Sequence, residues 1–415
     1  MKAFVPLLLA GSVTLPLSMS LAGELVIAAP QWQIANSVST GDQDTAAIAT
    51  NRNGYVAVVW EDDRDTTAPG DNAHSDIWLR TFRHGSPLWE GKLSAGGTAG
   101  TSWRHLNPDV GLDDKGNAVV VWQDDPDGNG FYNIPYQVVN TAGTVTASGQ
   151  ANTSATGQQI NPKVAVDPDG APSGGAVAFT VVWEDIQGTS PATVKAAGFT
   201  GPTTRAHEVT VSQAGGQHHN PDVAVSASGD AWVVWDEDGD ANGFYNIGLM
   251  RVTRAGTVGG RTIANSNGGG QQTRASIEAT FNGDFAVAWL SDHTGTAEVW
   301  ARSFASGGTA RHGDVEVAVG GENPRIGLDE QGGVVVAWGV GGADPNVYVR
   351  GYNPDGTDTG RLASQPLMNL SAGRQEQLAV AVSAWGEVSV AYTDDNDGNG
   401  FDQIFLGVNI LNTGW

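Results

Sequence analysis

One pattern recurs seven times along this chain, and it limits the fold more than any single residue does. A short apolar run, alternating with period two and closing on an aromatic, appears at Tyr55 to Trp60, Ala118 to Trp122, Phe179 to Trp183, Ala231 to Trp235, Phe285 to Trp289, Val334 to Trp338 and Val388 to Tyr392. The closing aromatics lie 49 to 62 residues apart. Before each run comes a small turn, such as Asp114-Lys115-Gly116-Asn117 or Ser228-Gly229-Asp230. Before that turn lies another short strand, often opened by Asn-Pro, as at Asn107-Pro108, Asn161-Pro162, Asn220-Pro221 and Asn323-Pro324. A polar loop follows the aromatic. A third alternating strand then appears, as in Ile77 to Phe82, Ile134 to Val139, Ile247 to Val252, Val299 to Phe304 and Val347 to Tyr352. A Gly-containing turn and a weaker fourth strand end the unit. Helical periodicity is nearly absent.

Four short strands repeated at this period predict an all-β, seven-bladed β-propeller with four-stranded blades. Two stacked sandwiches or an open solenoid would also use such units, but seven near-equal copies without polar caps favour a closed ring. The last unit offers three strands, the third at Ile404 to Ile410. Gln31-Trp32-Gln33-Ile34-Ala35 forms an unassigned strand before the first unit. This N-terminal strand is expected to join the last blade as its outer strand, removing two open edges. The repeated aromatics are expected to pack between blades.

Residues 1–22 read as an export signal: Lys2 is followed by an apolar stretch from Phe4 to Pro16, and Ser20-Leu21-Ala22 fits a cleavage site after Ala22. The run is too short and broken to span a membrane. Residues 23–415 are then expected to form a single propeller, secreted or periplasmic. The chain has no Cys, which removes disulfides, thiolate metal sites and Cys nucleophiles. Its net charge of −24 repels nucleic acid and anionic membranes, and suits cations.

Three loops after the aromatics share D-x-D-x-N-G-F-x-(N/Q). They run Asp125 to Asn133, Asp238 to Asn246 and Asp395 to Gln403. Oxygen side chains at positions 1, 3 and 5 can converge on a hard cation. Gly at 6 permits the sharp turn, a backbone carbonyl faces inward at 7, and position 9 acts directly or through water. Ca2+ suits so many flexible oxygens better than Mg2+. The alternative is a metal-free Asx-turn hairpin loop.

These loops resemble the calcium loops of integrin-α-type (FG-GAP) β-propellers and of related bacterial secreted propellers. The resemblance in architecture covers the mature chain, and the metal motif covers three blades. It implies three ligand sets: Asp125, Asp127, Asn129, Asn133 and the Phe131 carbonyl; Asp238, Asp240, Asn242, Asn246 and the Phe244 carbonyl; and Asp395, Asp397, Asn399, Gln403 and the Phe401 carbonyl. Position 9 is an amide where the family usually has Asp, and no bidentate Glu follows. Affinity is therefore expected to be weak, on the order of 10⁻⁴ M or weaker. A degenerate version in the first unit has Asp63, Asp65, Asp71 and Asp76, split by an insertion.

A second polar set precedes the inner strands: His105, Gln159, His218, His219, Gln272 and Arg374. With the position-7 phenylalanines it would form a ligand-binding face near the channel, for a glycan or a protein. Carboxylates also recur two positions past the aromatic, at Asp62, Asp124, Asp185, Glu237 and Asp394. They read equally as a catalytic pair, a solvated rim or support for the metal. No nucleophile elbow, H-E-x-x-H helix, phosphate loop or sialidase-type Asp box is present. The sequence thus points to an exported calcium-binding module for adhesion or ligand binding. The alternatives are a polysaccharide-acting enzyme and a structural surface-assembly component.

Overall fold

The computed structural model describes residues 31–64, 75–94, 104–125, 129–171, 175–341, 346–360, 375–395 and 400–412. The proposed signal segment lies outside them. The described residues form only strands and turns, arranged as seven antiparallel sheets around one axis: a seven-bladed β-propeller. No helix among them is long and apolar enough to cross a membrane.

Blade 1 holds Gln43–Thr50, Tyr55–Asp62, Asp76–Arg83 and Ser86–Lys92. Blade 4 holds Gln217–Val225, Ala231–Asp238, Asn246–Val252 and a short Thr262–Ile263. Blades 2, 3 and 5 follow the same order. Blade 6 shows three strands among the described residues, Glu322–Leu328, Val334–Val340 and Asn346–Tyr352. Blade 7 has Gln375–Val382, Glu387–Asp394 and Gln403–Asn412, and takes Gln31–Ile34 as its outer strand. That strand is antiparallel, with Gln31 opposite Val408 and Ile34 opposite Phe405. Trp32 sets its ring edge-on to Tyr392, centroids 6.5 Å apart. Closure by the N-terminal strand is as the sequence predicts.

The core is divided among the seven junctions between blades. Each apolar cluster combines residues of two neighbouring blades and contains one of the repeated aromatics. Trp60 packs at the junction of blades 7 and 1, Trp183 at that of blades 2 and 3, and Tyr392 at that of blades 6 and 7. All seven rings are buried. Truncating such a ring to Ala costs about 3–5 kcal/mol.

The first strand of every blade lies innermost, beside its counterparts in the neighbouring blades. Each carries a β-bulge opened by a left-handed non-glycine residue: Thr45, Asn107, Asn161, Asn220, Arg274, Asn323 and Gln377, with φ between 48° and 55°. Asn tolerates this region best after glycine, because its short amide can bond locally. The four Asn-Pro pairs therefore mark bulges within strands, not strand starts.

The turns between first and second strands gather at the far end of the axis. There the Arg52 guanidinium of blade 1 sits 4.1 Å from the ring centre of Phe281, which belongs to blade 5. Trp385 of blade 7 donates its indole N–H to the Arg52 carbonyl at 3.2 Å. Arg52 Nε lies 3.0 Å from Asp114 of blade 2, and Glu330 of blade 6 accepts the Phe281 N–H at 2.9 Å. Contacts among five blades thus brace this end across the axis.

Candidate binding face

The acidic loops lie at the opposite end. In blade 4, Asp238 Oδ1 accepts the Asn242 N–H at 2.9 Å, and Asp240 Oδ1 approaches the same N–H at 3.3 Å. Asp238 Oδ2 accepts the Gly243 N–H at 3.1 Å, and Asn242 Oδ1 accepts the Phe244 N–H at 2.7 Å. Two carboxylates are therefore drawn toward one donor, with no Lys or Arg within 4 Å of either among the described residues. The blade 2 loop repeats this: Asp125 accepts the N–H groups of Asn129 (3.0 Å) and Gly130 (2.8 Å), and Asn129 accepts that of Phe131 (2.7 Å). In blade 7, Asp395 accepts the Gly400 N–H at 3.0 Å. Asp127, Asp397 and Asn399 lie outside the described residues. Among those described, no three His, Asp or Glu side chains gather as a metal centre. In blade 4 the donor set at positions 1, 3 and 5 nevertheless fits a weakly held hard cation, since two like charges converge without a protein cation between them.

Position 9 faces a different partner. Asn133 Oδ1 accepts from Gln150 Nε2 at 3.0 Å and Asn152 Nδ2 at 2.8 Å. Asn246 Oδ1 accepts from Asn265 Nδ2 at 2.9 Å, and Gln403 Oε1 from Asn36 Nδ2 at 2.6 Å. The clamping asparagines also accept the next backbone N–H, at Ile134, Ile247 and Ile404. Asn152 and Asn265 follow the fourth strands, and Asn36 follows the N-terminal strand that replaces one. Position 9 thus ties each loop to its own blade. In blade 1, Asp76 bonds Lys92 and Ser94, and Asp63 is buried; Asp65 and Asp71 lie outside the described residues.

Each acidic loop is also latched to the following blade. Gln271 accepts the Tyr245 N–H at 3.0 Å and donates to the Gly243 carbonyl at 2.9 Å. Gln158 makes the same pair of bonds with Tyr132 and Gly130. The Asp402 N–H donates to Asp42 at 3.0 Å. The loop tips stay open, with Phe131 and Phe244 each 51% exposed.

The expected ligand face is corrected. His105, Gln159, His218 and Gln272 are buried, because each sits one position before the residue that precedes the bulge and faces the second strand. They meet the carboxylates two past the aromatic, or the aromatic itself. His105 Nδ1 lies 2.7 Å from Asp124, Gln159 donates to Asp185 at 3.1 Å, His218 meets Glu237 at 3.0 Å, and Gln272 accepts the Trp289 indole N–H at 3.0 Å. Asp62 likewise accepts the Trp60 indole N–H at 2.9 Å. Those carboxylates are internal fasteners and do not form a rim. Arg374 lies outside the described residues.

Among the described members of that set His219 alone is partly exposed, and it stands among residues that the sequence reading passed over. The position immediately after the aromatic carries Glu61, Gln123, Glu184 and Asp236 in blades 1 to 4. Each accepts the bulge N–H of the next blade: Asn107 at 2.6 Å, Asn161 at 3.1 Å, Asn220 at 2.8 Å and Arg274 at 2.7 Å. Glu184 also accepts from Asn161 Nδ2 at 2.7 Å and His219 Nδ1 at 2.9 Å. Its hydrogen bond raises the His219 pKa, while burial pushes Asp236 up to about 7. Burial, reinforced by Asp44, raises Glu61. Aligning the seven bulge residues is the signal that would have found this ring.

No protein-family profile matches the chain, and no curated protein matches it. Solved structures do. A protein of unknown function from Dyadobacter fermentans aligns with a TM-score of 0.55 at 11% identity, covering 92% of this chain and 99% of that one. The NanB sialidase of Streptococcus pneumoniae aligns with a TM-score of 0.50 at 11% identity, covering 92% of this chain and 71% of that one. At such identity the likeness establishes the shared propeller fold alone.

Proposed function

We propose that this chain is an exported, calcium-binding propeller that offers its loop-bearing face to an extracellular glycan or protein. The observation that carries this is the blade 4 loop, where Asp238 and Asp240 converge on one N–H beside the exposed Phe244 ring. Asp238, Asp240 and Asn242 would hold the ion, as would Asp125 and Asn129 in blade 2 and Asp395 in blade 7. Bound Ca2+ would neutralise the carboxylates and set the tip. The phenylalanines supply apolar contact, and the Gln271 and Gln158 latches hold their loops against the channel mouth.

The test is a glycan and protein array probed with and without EDTA, alongside a Phe131→Ala/Phe244→Ala variant. Binding that falls with EDTA and in the variant supports the reading. A native protein silent on every surface overturns it. A second reading, an enzyme acting on polysaccharide, is favoured by one feature: His219 anchored by Glu184 near Asp236, an acid and a base environment at one mouth. Release of reducing ends that stops in His219→Asn would establish it.

A further inference from the structure

Two residues past each bulge, the inner strands place a level ring around the channel: Asp109, Lys163, Asp222, Ser276 and Arg325 in blades 2 to 6, and alanines in blades 7 and 1. The two aspartates are tied down. Asp109 accepts the Val164 N–H at 2.8 Å and lies 3.6 Å from Lys163 Nζ. Asp222 accepts the Ile277 N–H at 3.0 Å. Arg325 is different. Its Nη1 donates at 3.0 Å to the carbonyl of Pro324, its own neighbour, and no carboxylate lies within 4 Å among the described residues.

Arg274, the bulge residue of blade 5, reaches over to Asn323 of blade 6, two positions before Arg325. Its guanidinium too has no carboxylate within 4 Å among the described residues, although its backbone N–H donates to Asp236 at 2.7 Å. Elsewhere this acidic chain pairs its guanidinium groups readily, as at Arg64, Arg254, Arg302 and Arg350. Two neighbouring guanidinium groups with no carboxylate within 4 Å among the described residues, in a protein of net charge −24, are an arrangement that a bound anion suits. Beside Arg325, Ala379 of blade 7 and Ala47 of blade 1 occupy the same level and bring no charge. Burial lowers the Arg325 pKa, with Asp222 and Asp109 acting against it and Arg274 adding to it.

We propose that Arg274 and Arg325 form an oxyanion subsite inside the channel mouth, taking the carboxylate or sulfate group of an acidic glycan ligand. This deepens the binding reading above and rests on it. The Arg52–Phe281 brace closes in below, so the charged group enters from the loop-bearing face.

The test is calorimetry on the mature chain with two probes, galacturonate for a carboxylated unit and inorganic sulfate for a sulfated one, against chloride at matched ionic strength. The native protein is expected to bind at least one probe saturably, and the preferred probe identifies the source. Arg325→Gln and the exposed Arg274→Gln are each expected to weaken it about tenfold or more. Without any probe, Arg325→Gln is expected to melt no lower than the native chain. Absence of saturable binding, or identical titrations for the native chain and both variants, overturns the subsite. Array binding that persists unchanged in Arg325→Gln, with no oxyanion response, removes the subsite and leaves the binding module. Oxyanion binding lost in both variants, with silence on every array, removes the module and leaves the subsite.

Discussion

His219 Nδ1 donates to Glu184 Oε2 at 2.9 Å across the junction of blades 3 and 4, so the imidazole of one blade is oriented by a carboxylate of another. Glu184 raises the His219 pKa above its ordinary 6.5. The native ring therefore holds its proton more tightly than the unfolded one. Its stabilising contribution is complete below pH 6.5 and is lost as pH rises through the native value. In Glu184→Gln, the His219 titration followed by NMR is expected to move down toward 6.5, with less loss of melting temperature between pH 6 and 8. An unmoved titration would show that Glu184 does not govern the ring.

Glu61 has the opposite consequence. Burial raises it from 4.5 to about 8, so between those values the native chain binds a proton that the unfolded chain releases. Stability from this group falls as pH rises across that window. Blade 2 has Gln123 at the equivalent position, and its amide oxygen accepts the matching Asn161 N–H at 3.1 Å. Glu61→Gln is thus expected to be neutral near pH 5 and to stabilise by about 1–3 kcal/mol at pH 8. Urea denaturation at both pH values checks it.

The asparagine clamp separates two side chains of the same type. Asn265 is buried, donates to Asn246 and accepts the Ile247 N–H. Its loss orphans a buried donor and acceptor, so Asn265→Ala is expected to cost about 1–3 kcal/mol, and Asn246→Ala less. Chemical denaturation of the two variants measures the difference.

Calcium gives a thermal signature. If Ca2+ binds one loop at about 10⁻⁴ M, then 10 mM is ~100-fold above that value and adds about 2.7 kcal/mol. Metal-stripped protein is expected to melt higher with Ca2+ than with Mg2+, and Asp238→Asn/Asp240→Asn to lose part of the gain. Identical melting curves with and without Ca2+ would end the metal assignment.

The repeat was legible because its period is written in large apolar side chains. Trp60, Trp183 and Tyr392 must each fill a junction, and nothing small replaces them. Strand alternation and the closing strand at Trp32 followed from the same rule. The site was less legible because its determinants are relations between blades. Glu184 serves Asn220, 36 residues later, and Asn36 serves Gln403, 367 residues away. Gln159 and His218 read as surface groups because polar residues usually are; only the register opposite Asp185 and Glu237 shows that they are interior. Asn-Pro read as a strand opening, since a left-handed Asn within a strand leaves no periodic trace.

The seventh sheet joins Gln31–Ile34 to a strand that begins only at Gln403. A growing polypeptide therefore carries an unmatched edge through most of its synthesis, and the last sheet is stitched only when both segments are free to meet. Until then the partly built molecule is a sticky template for its neighbours.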